Sequence, residues 1–477
     1  MMKTTIPEIA VMGHPNEGKS SVLSTLAEDD SVRISPYPGE TTVCRTFPVI
    51  IDNREILRFT DTPGFQNPGT LLVQMQSYTG SSEERLQRLL AFAGTSEDLA
   101  EDRELLTPIA RGAGIIYVVN GSRPVRKVDR DEMELLRLIG KPRMAVINTK
   151  GDGELHLVRW KEELLTRFNS IRLFNAHHAD YRERLALLEA LKSIDQDWQQ
   201  VFDNVLDVVA RNWDNRIATA AHIIVTSLSD SLHLKLTANL SQDQSEDTVR
   251  RKLIDEYIAA ITKIETNAHK QIRSVFKHNR FDYQLPPHSI LNEDIFSERS
   301  WQLLGLSKNQ LVLFGGLSGG AVGAGIDVAA LGHGLGLFTA IGAAGGAIGA
   351  LTSGKWLDYE ASLLGVKLSG PRITIGPAES ISLMFILINR SIQFFTHMAG
   401  WSHGRRDYEE QSILPEHVVV ENHTRNWSAP QLKQCHAFFR SVSSPESEKH
   451  REAAVQMESL LAETMHAVVT KEQAPNR

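Results

Sequence analysis

Eight residues constrain this chain more than any others. Gly13 to Ser20, GHPNEGKS, fit the pattern G-x-x-x-x-G-K-[ST] directly behind the apolar run IPEIAVMG (6–13). An apolar run, a glycine turn and then helix-forming residues make a strand–loop–helix unit. In such a unit the glycines let backbone N–H groups approach a phosphate, and the helix N-terminus adds a positive dipole. Lys19 is placed to neutralise β- and γ-phosphates, and the Ser20 hydroxyl to ligate Mg²⁺. Gly13, Asn16, Glu17, Gly18 and Ser21 complete the expected phosphate-contacting set.

The segments that follow repeat the strand and helix alternation. FPVIID (47–52) and EILRFTD (55–61) flank Asn53–Arg54 and read as a hairpin. GIIYVVN (114–120), RMAVINT (143–149) and IRLFNA (171–176) are further short strands, Val/Ile-rich where both faces are buried. Leu157, Trp160, Leu164 and Phe168 have helical spacing. Residues 1–195 are therefore expected to form an α/β domain with a mostly parallel sheet.

Three motifs sit at the ends of those strands. DTPG (Asp61 to Gly64) ends the third, where Asp61 would hold Mg²⁺ through water and the Gly64 N–H would touch the γ-phosphate. TKGD (Thr149 to Asp152) follows the fifth, so that the Lys150 stem packs on a base and the Asp152 carboxylate accepts two hydrogen bonds from guanine N1–H and N2–H. Adenine offers no such donor pair, so the expected ligand is GTP or GDP. Asn175, Ala176 and His177 follow the last strand, where a backbone N–H would contact guanine O6.

With these residues in place, the first 195 residues resemble the Era-like, translation-factor-related branch of bacterial GTPases. GHPNEGKS and PGETT (Pro38 to Thr42) look like that branch's G-x-P-N-x-G-K-S loop and P-G-x-T switch. The resemblance implies a Ras-like P-loop fold, hydrolysis of GTP to GDP and phosphate, and a switch cycle. PGETT has one extra residue, so the Mg²⁺-binding threonine is expected to be Thr42, with Thr41 the alternative. Asn16 stands at the position whose side chain, in potassium-activated relatives, helps hold a K⁺ beside the phosphates; the alternative is that it braces the loop. Phe65 follows DTPG where many GTPases use Gln to orient the attacking water, and an apolar side chain cannot do that. Lys19, Asn16, Thr42 and Gly64 are thus the catalytic candidates, with Glu40, Gln66 or a partner residue replacing the cation if K⁺ has no role.

Beyond residue 195 the chain reads as mainly helical. There is no Gly from Glu154 to Leu304, and Phe202, Leu206, Val209, Trp213, Ile217, Ala220, Ile224 and Leu228 recur at helical spacing. A second helix is expected from about Thr248 to Lys277, and ISLMFILI (381–388) is too short to span a bilayer, so it reads as a core helix. Between Lys308 and Lys355 the only formal charge is Asp327, and 14 of the 40 residues from Gly315 to Gly354 are Gly. The expected regions are 1–195, a helical bundle at 196–300, a Gly-rich hairpin at 301–356 and a mainly helical region at 357–477. This remainder resembles a domain of unknown function fused to such GTPases in proteobacteria.

The net charge of −7 argues against nucleic acid as the main partner, since a polyanion calls for a basic face. Two cysteines, Cys44 and Cys435, suit a reducing compartment, and a cytoplasmic chain is expected. The Gly-rich segment suggests a membrane lipid or membrane protein as partner, with peripheral association or insertion at the inner membrane; a buried hairpin in a soluble bundle is the competing reading. A GTP-dependent homodimer is left open. So is the long stretch between Gly64 and Gly114, read as a partner-sensing insertion or a solvated helical hairpin.

Overall fold

Apolar side chains alternate along the strands of the N-terminal part, and that alternation divides its interior in two. Ile9 and Val11, Ile116 and Val118, and Met144 and Val146 are buried on one face of the sheet. Ala10 and Met12, Ile115, Tyr117 and Val119, and Ala145 and Ile147 are buried on the other. The computed structural model describes residues 6–28, 41–149, 156–175, 181–240, 245–277, 289–295, 297, 300, 303–305, 367–368, 372–400 and 421–472. The chain divides into two units, one built mainly from Met1–Asn215 and the other from Arg216–Phe276 with most of the later residues.

The first unit holds a six-stranded sheet in the order β2-β3-β1-β4-β5-β6. Its strands are β1 (Glu8–Met12), β2 (Arg45–Ile51), β3 (Arg54–Asp61), β4 (Gly114–Asn120), β5 (Arg143–Asn148) and β6 (Ser170–Phe174). All neighbours are parallel except the β2/β3 hairpin, whose turn puts Asp52 and Asn53 at positive φ. The chain leaves β1 to build β2 and β3 on one side and then crosses to β4 on the other, so a crevice opens at the carboxyl end of β1. One face is covered by α1 (Lys19–Ala27), α7 (Tyr181–Lys192) and the start of α8 (Gln199–His233).

The other face carries the difference from the sequence reading. The stretch between Gly64 and Gly114 is not a solvated hairpin: it forms three helices, α2 (Pro68–Ser77), α3 (Ser82–Ala93) and α4 (Ala100–Ala110). Leu71, Met75, Leu86, Leu89, Leu105, Leu106 and Ile109 from these helices are all buried in one core with β4 and α5 (Lys127–Ile139) and α6 (Leu157–Leu165). Burying seven such side chains, each worth roughly 1.5–3 kcal/mol, makes these helices part of the domain.

The second unit continues α8 and adds α9 (Glu246–Val275), α10 (Ile381–Ala399), α11 (Ala429–Ser441) and α12 (Glu448–Glu472). The periodic stripe of α8 is buried as its spacing requires, Leu206 only partly. The apolar run expected as a core helix opens α10, where Ile381 to Ile388 are buried except the half-buried Ser382. Where helix alone was expected, Leu236–Asn239 forms strand β7, which pairs antiparallel with β9 (Arg372–Ile375); β9 in turn pairs with β8 (Lys367–Leu368). No described helix is long and apolar enough to cross a membrane. The Gly-rich hairpin expectation lies, but for 303–305, outside the described residues, as do Pro38, Gly39 and Glu40.

Candidate nucleotide-binding site

The loop between β1 and α1 takes its shape from three residues at positive φ: Gly13 (141°), Asn16 (67°) and Gly18 (92°). A Cβ on Gly13 would collide with the Val118 carbonyl oxygen of β4, so only glycine fits there. The loop therefore folds back over the end of β1, and Lys19, the first residue of α1, reaches across it. Its Nζ donates to the Gly13 oxygen (3.1 Å) and the His14 oxygen (3.2 Å). Burial pulls the Lys19 pKa down, while Asp61, Glu132 and Glu17 oppose that shift. A desolvated ammonium lying on backbone carbonyls is a charge that phosphate oxygens can claim.

Asp61 ends β3 beside it. Burial raises its pKa, countered by Lys19, by a hydrogen bond from Thr41 and by Arg45. One carboxylate oxygen accepts from the Thr41 hydroxyl at 3.1 Å, whereas Oδ1 is buried with no hydrogen-bond partner among the described residues. An orphaned buried carboxylate oxygen next to a phosphate loop fits a hydrated Mg²⁺. Thr42 is exposed and Ser20 half-buried at the first turn of α1. Gly64 presses on the loop directly, since a Cβ there would stand 2.5 Å from Pro15 Cδ and 2.9 Å from Pro15 N. Phe65 is buried in the core with Ala10, Met12 and Leu71, which removes its side chain from the site.

On the base side, Thr149 N donates to the Phe174 oxygen, and half-buried Asn175 follows β6. Lys150, Asp152, Ala176 and His177 lie outside the described residues. Buried Asn148 donates from Nδ2 to the Glu17 oxygen at 3.3 Å, tying the base-side strand to the phosphate loop.

Several residues that hold this site carry no motif. The Glu17 carboxylate accepts from Asn120 N and from Arg123, whose guanidinium is gripped by Asp129 through bonds of 2.7 and 2.8 Å and lies 5.1 Å from the Trp160 ring centroid. Fully buried Glu132 pairs with His14 Nδ1 (3.0 Å) and accepts from the Tyr117 hydroxyl (2.7 Å). Burial raises its pKa, and these two bonds hold it back. One signal was available: Asp129 and Glu132 extend the Met133, Leu136 and Ile139 stripe of α5, so two acids stand on a face that packs inward.

Comparison with known proteins agrees with this geometry. Residues 8–149 match the family model described as 50S ribosome-binding GTPase, and residues 162–464, well over half of the chain, match the model described as domain of unknown function (DUF3482). GTPase Der of Agathobacter rectalis is 26% identical over 180 residues, which is 35% of this chain and 41% of that protein. The tRNA modification GTPase MnmE of Natranaerobius thermophilus is 29% identical, over 30% of this chain and 32% of that protein. The probable GTP-binding protein EngB of Pelotomaculum thermopropionicum is 30% identical, over 31% of this chain and 62% of that protein. The chain thus spans less than two thirds of the length of each of these relatives. Among solved structures, Era of Aquifex aeolicus bound to GDP.AlF4⁻ aligns over 57% of this chain and 89% of its own, with 14% identity and a TM-score of 0.25. Over residues 8–149 the chain is thus similar to bacterial GTPases with a P-loop fold.

Proposed function

This chain belongs to the family of the domain of unknown function DUF3482, joined here to an N-terminal P-loop GTPase domain, and we propose that it is a GTP-hydrolysing switch. The observation that carries the proposal is that buried Lys19, resting on the Gly13 and His14 carbonyls, lies within electrostatic reach of Asp61, whose Oδ1 has no hydrogen-bond partner among the described residues. In this reading Lys19 offsets charge on the β- and γ-phosphates, and the Gly64 N–H meets the γ-phosphate. Asp61, Ser20 and Thr42, or Thr41 in its place, would hold Mg²⁺, which screens the phosphate charge. Lys150 and Asp152 select guanine. Because Phe65 is buried, a group other than its side chain orients the attacking water; a K⁺ held with the help of Asn16 would offset the charge that develops between the β- and γ-phosphates. The Pro15–Asn16 pair in the loop supports an Era-like branch within the wider group.

The test is phosphate release by the purified full chain. Wild type should release phosphate from GTP and not from ATP, faster in K⁺ than in Na⁺. Lys19→Ala should abolish release, and Asn16→Ala should remove only the K⁺ response. Release from GTP no greater than that of Lys19→Ala would sink the hydrolysis reading, and equal rates in the two salts would sink the cation.

A ribosome-directed role is the second reading, favoured by the description of the family matched at residues 8–149. Cell fractionation separates it from a membrane role, since the chain would pellet with ribosomal particles rather than with membranes.

A further inference from the structure

The helices between Gly64 and Gly114 do more than fill the core. From the first turns of α4, two acids reach the two segments of the site that change between nucleotide states in a switch GTPase. Asp102 is completely buried, and its carboxylate accepts from Gln66 N (3.0 Å), Asn67 N (3.1 Å) and Asn67 Nδ2 (3.2 Å). Those are the residues two and three places past Gly64, where DTPG passes into α2. The carboxylate thus sits at the N-terminal end of α2, where free N–H groups and the helix dipole both favour a negative charge.

Two residues further along α4, Glu104 holds the other segment. Its Oε1 accepts from Cys44 N (3.1 Å), and its backbone oxygen accepts from Cys44 Sγ (3.3 Å). Cys44 lies directly after Thr41–Thr42–Val43, and Thr41 is the residue hydrogen-bonded to Asp61. Glu101 completes the row by accepting from Gln66 Nε2 at 2.9 Å, while the same amide also donates to the Gly64 oxygen. Leu105, Leu106 and Ile109 fix α4 in the core, so the acids project from a rigid element.

We propose that α4 is the strut on which both switch segments hang, with Asp102 and Glu104 as positioning residues that set the hydrolysis-competent geometry. This rests on the GTPase reading and adds how the switches are held. Neither acid reaches the phosphate loop or the base-side strands in any bond described above, so losing them should leave ground-state nucleotide binding nearly intact. The transition state is more demanding: a shift of the 64–67 backbone of about 1 Å is enough for a loss on the order of a hundredfold. A positioning role therefore predicts a loss in kcat with KM preserved.

The experiment compares full-length wild type, Asp102→Asn and Glu104→Ala. In the first variant an NH₂ replaces one acceptor oxygen opposite N–H donors; in the second the acceptor for Cys44 N is gone from a half-buried site. We expect kcat for GTP to fall about tenfold in Asp102→Asn and about threefold in Glu104→Ala, with KM and GDP affinity within twofold of wild type. Amide hydrogen exchange should quicken at 62–67 in the first variant and at 41–46 in the second. The proposal is overturned if kcat stays within twofold of wild type in both variants, or if kcat, KM and GDP affinity worsen together. Should Asp102→Asn not fold, Glu104→Ala decides alone. Should wild type release no phosphate at all, the GTPase reading fails separately. Exchange with GDP and with a non-hydrolysable GTP analogue then tests the strut, which is overturned if the variants keep the wild-type pattern.

Discussion

In the proposed reading base choice depends on Asp152, and its chemistry can be tested without reference to its surroundings. A carboxylate accepts from guanine N1–H and N2–H together, whereas an amide in its place offers one acceptor and one donor. Asp152→Asn should therefore favour xanthosine over guanosine nucleotides. It should weaken GTP binding by at least roughly 3 kcal/mol, given roughly 1.5–3 kcal/mol for each charged hydrogen bond. Fluorescent-nucleotide titration measures this, and GTP affinity equal to wild type would mean that another group reads the base. At this scale the sequence was informative wherever backbone geometry forces a residue type. Gly13 is required by the Val118 carbonyl, and Gly64 by Pro15, and both stand in motifs. The partners that brace the site were not legible, because Arg123 reaches Glu17 from 106 positions away and Asp102 reaches Gln66 from 36. Side-chain bonds over such distances leave no local pattern.

Elements were legible in proportion to their length and periodicity. The 35 residues of α8 and the 30 of α9 repeat an apolar stripe often enough to be read directly. Strand β7 has four residues, and its partner β9 lies more than 130 positions later, so no period and no turn announced it. Between α9 and α10 the packing contains a titratable ring. His269 stacks on Phe394 with centroids 4.0 Å apart, near the buried Glu265–Arg390 ion pair. Burial lowers its pKa from 6.5 to about 4, with Glu265 opposing and Arg390 reinforcing the shift. The unfolded chain therefore takes up this proton before the folded one does. Stability from this site is intact above pH 6.5, drains away as pH falls toward 4, and is flat below. At pH 5, allowing for the partial exposure of the residue, the loss should be about 1–2 kcal/mol. His269→Phe keeps the stacked ring and removes the proton site. Urea unfolding at pH 7 and pH 5 should show a larger drop for wild type than for the variant, and equal drops would show that His269 is not the group that titrates.

At the scale of the whole molecule, the domain proposed as a nucleotide switch is joined to a helical region whose task must be read from what it could touch. Residues 311–353 carry the sequence argument. Leu311 to Ile326 and Gly334 to Ser353 are two uncharged stretches on either side of Asp327 and His333. The second has 20 residues, about 30 Å if helical, which is the thickness of a bilayer core. Glycines repeat at four-residue spacing, as in Gly315/Gly319, Gly319/Gly323 and Gly342/Gly346. Such spacing lets backbones approach closely in lipid, whereas in water each glycine in a helix costs roughly 0.5–1 kcal/mol relative to Ala. The described helices offer no competing span, and the most apolar of them, α10, places Asn389 and Arg390 mid-helix, with Arg390 paired to Glu265. The membrane role proposed from this segment is tested on the segment itself. Vesicles containing anionic phospholipid should co-sediment the full chain in one of two states, with GDP or with a non-hydrolysable GTP analogue. A variant lacking 311–353 should stay in the supernatant in both. If the full chain binds vesicles in neither state and is monodisperse without detergent, the segment serves packing within the protein and the membrane role is lost.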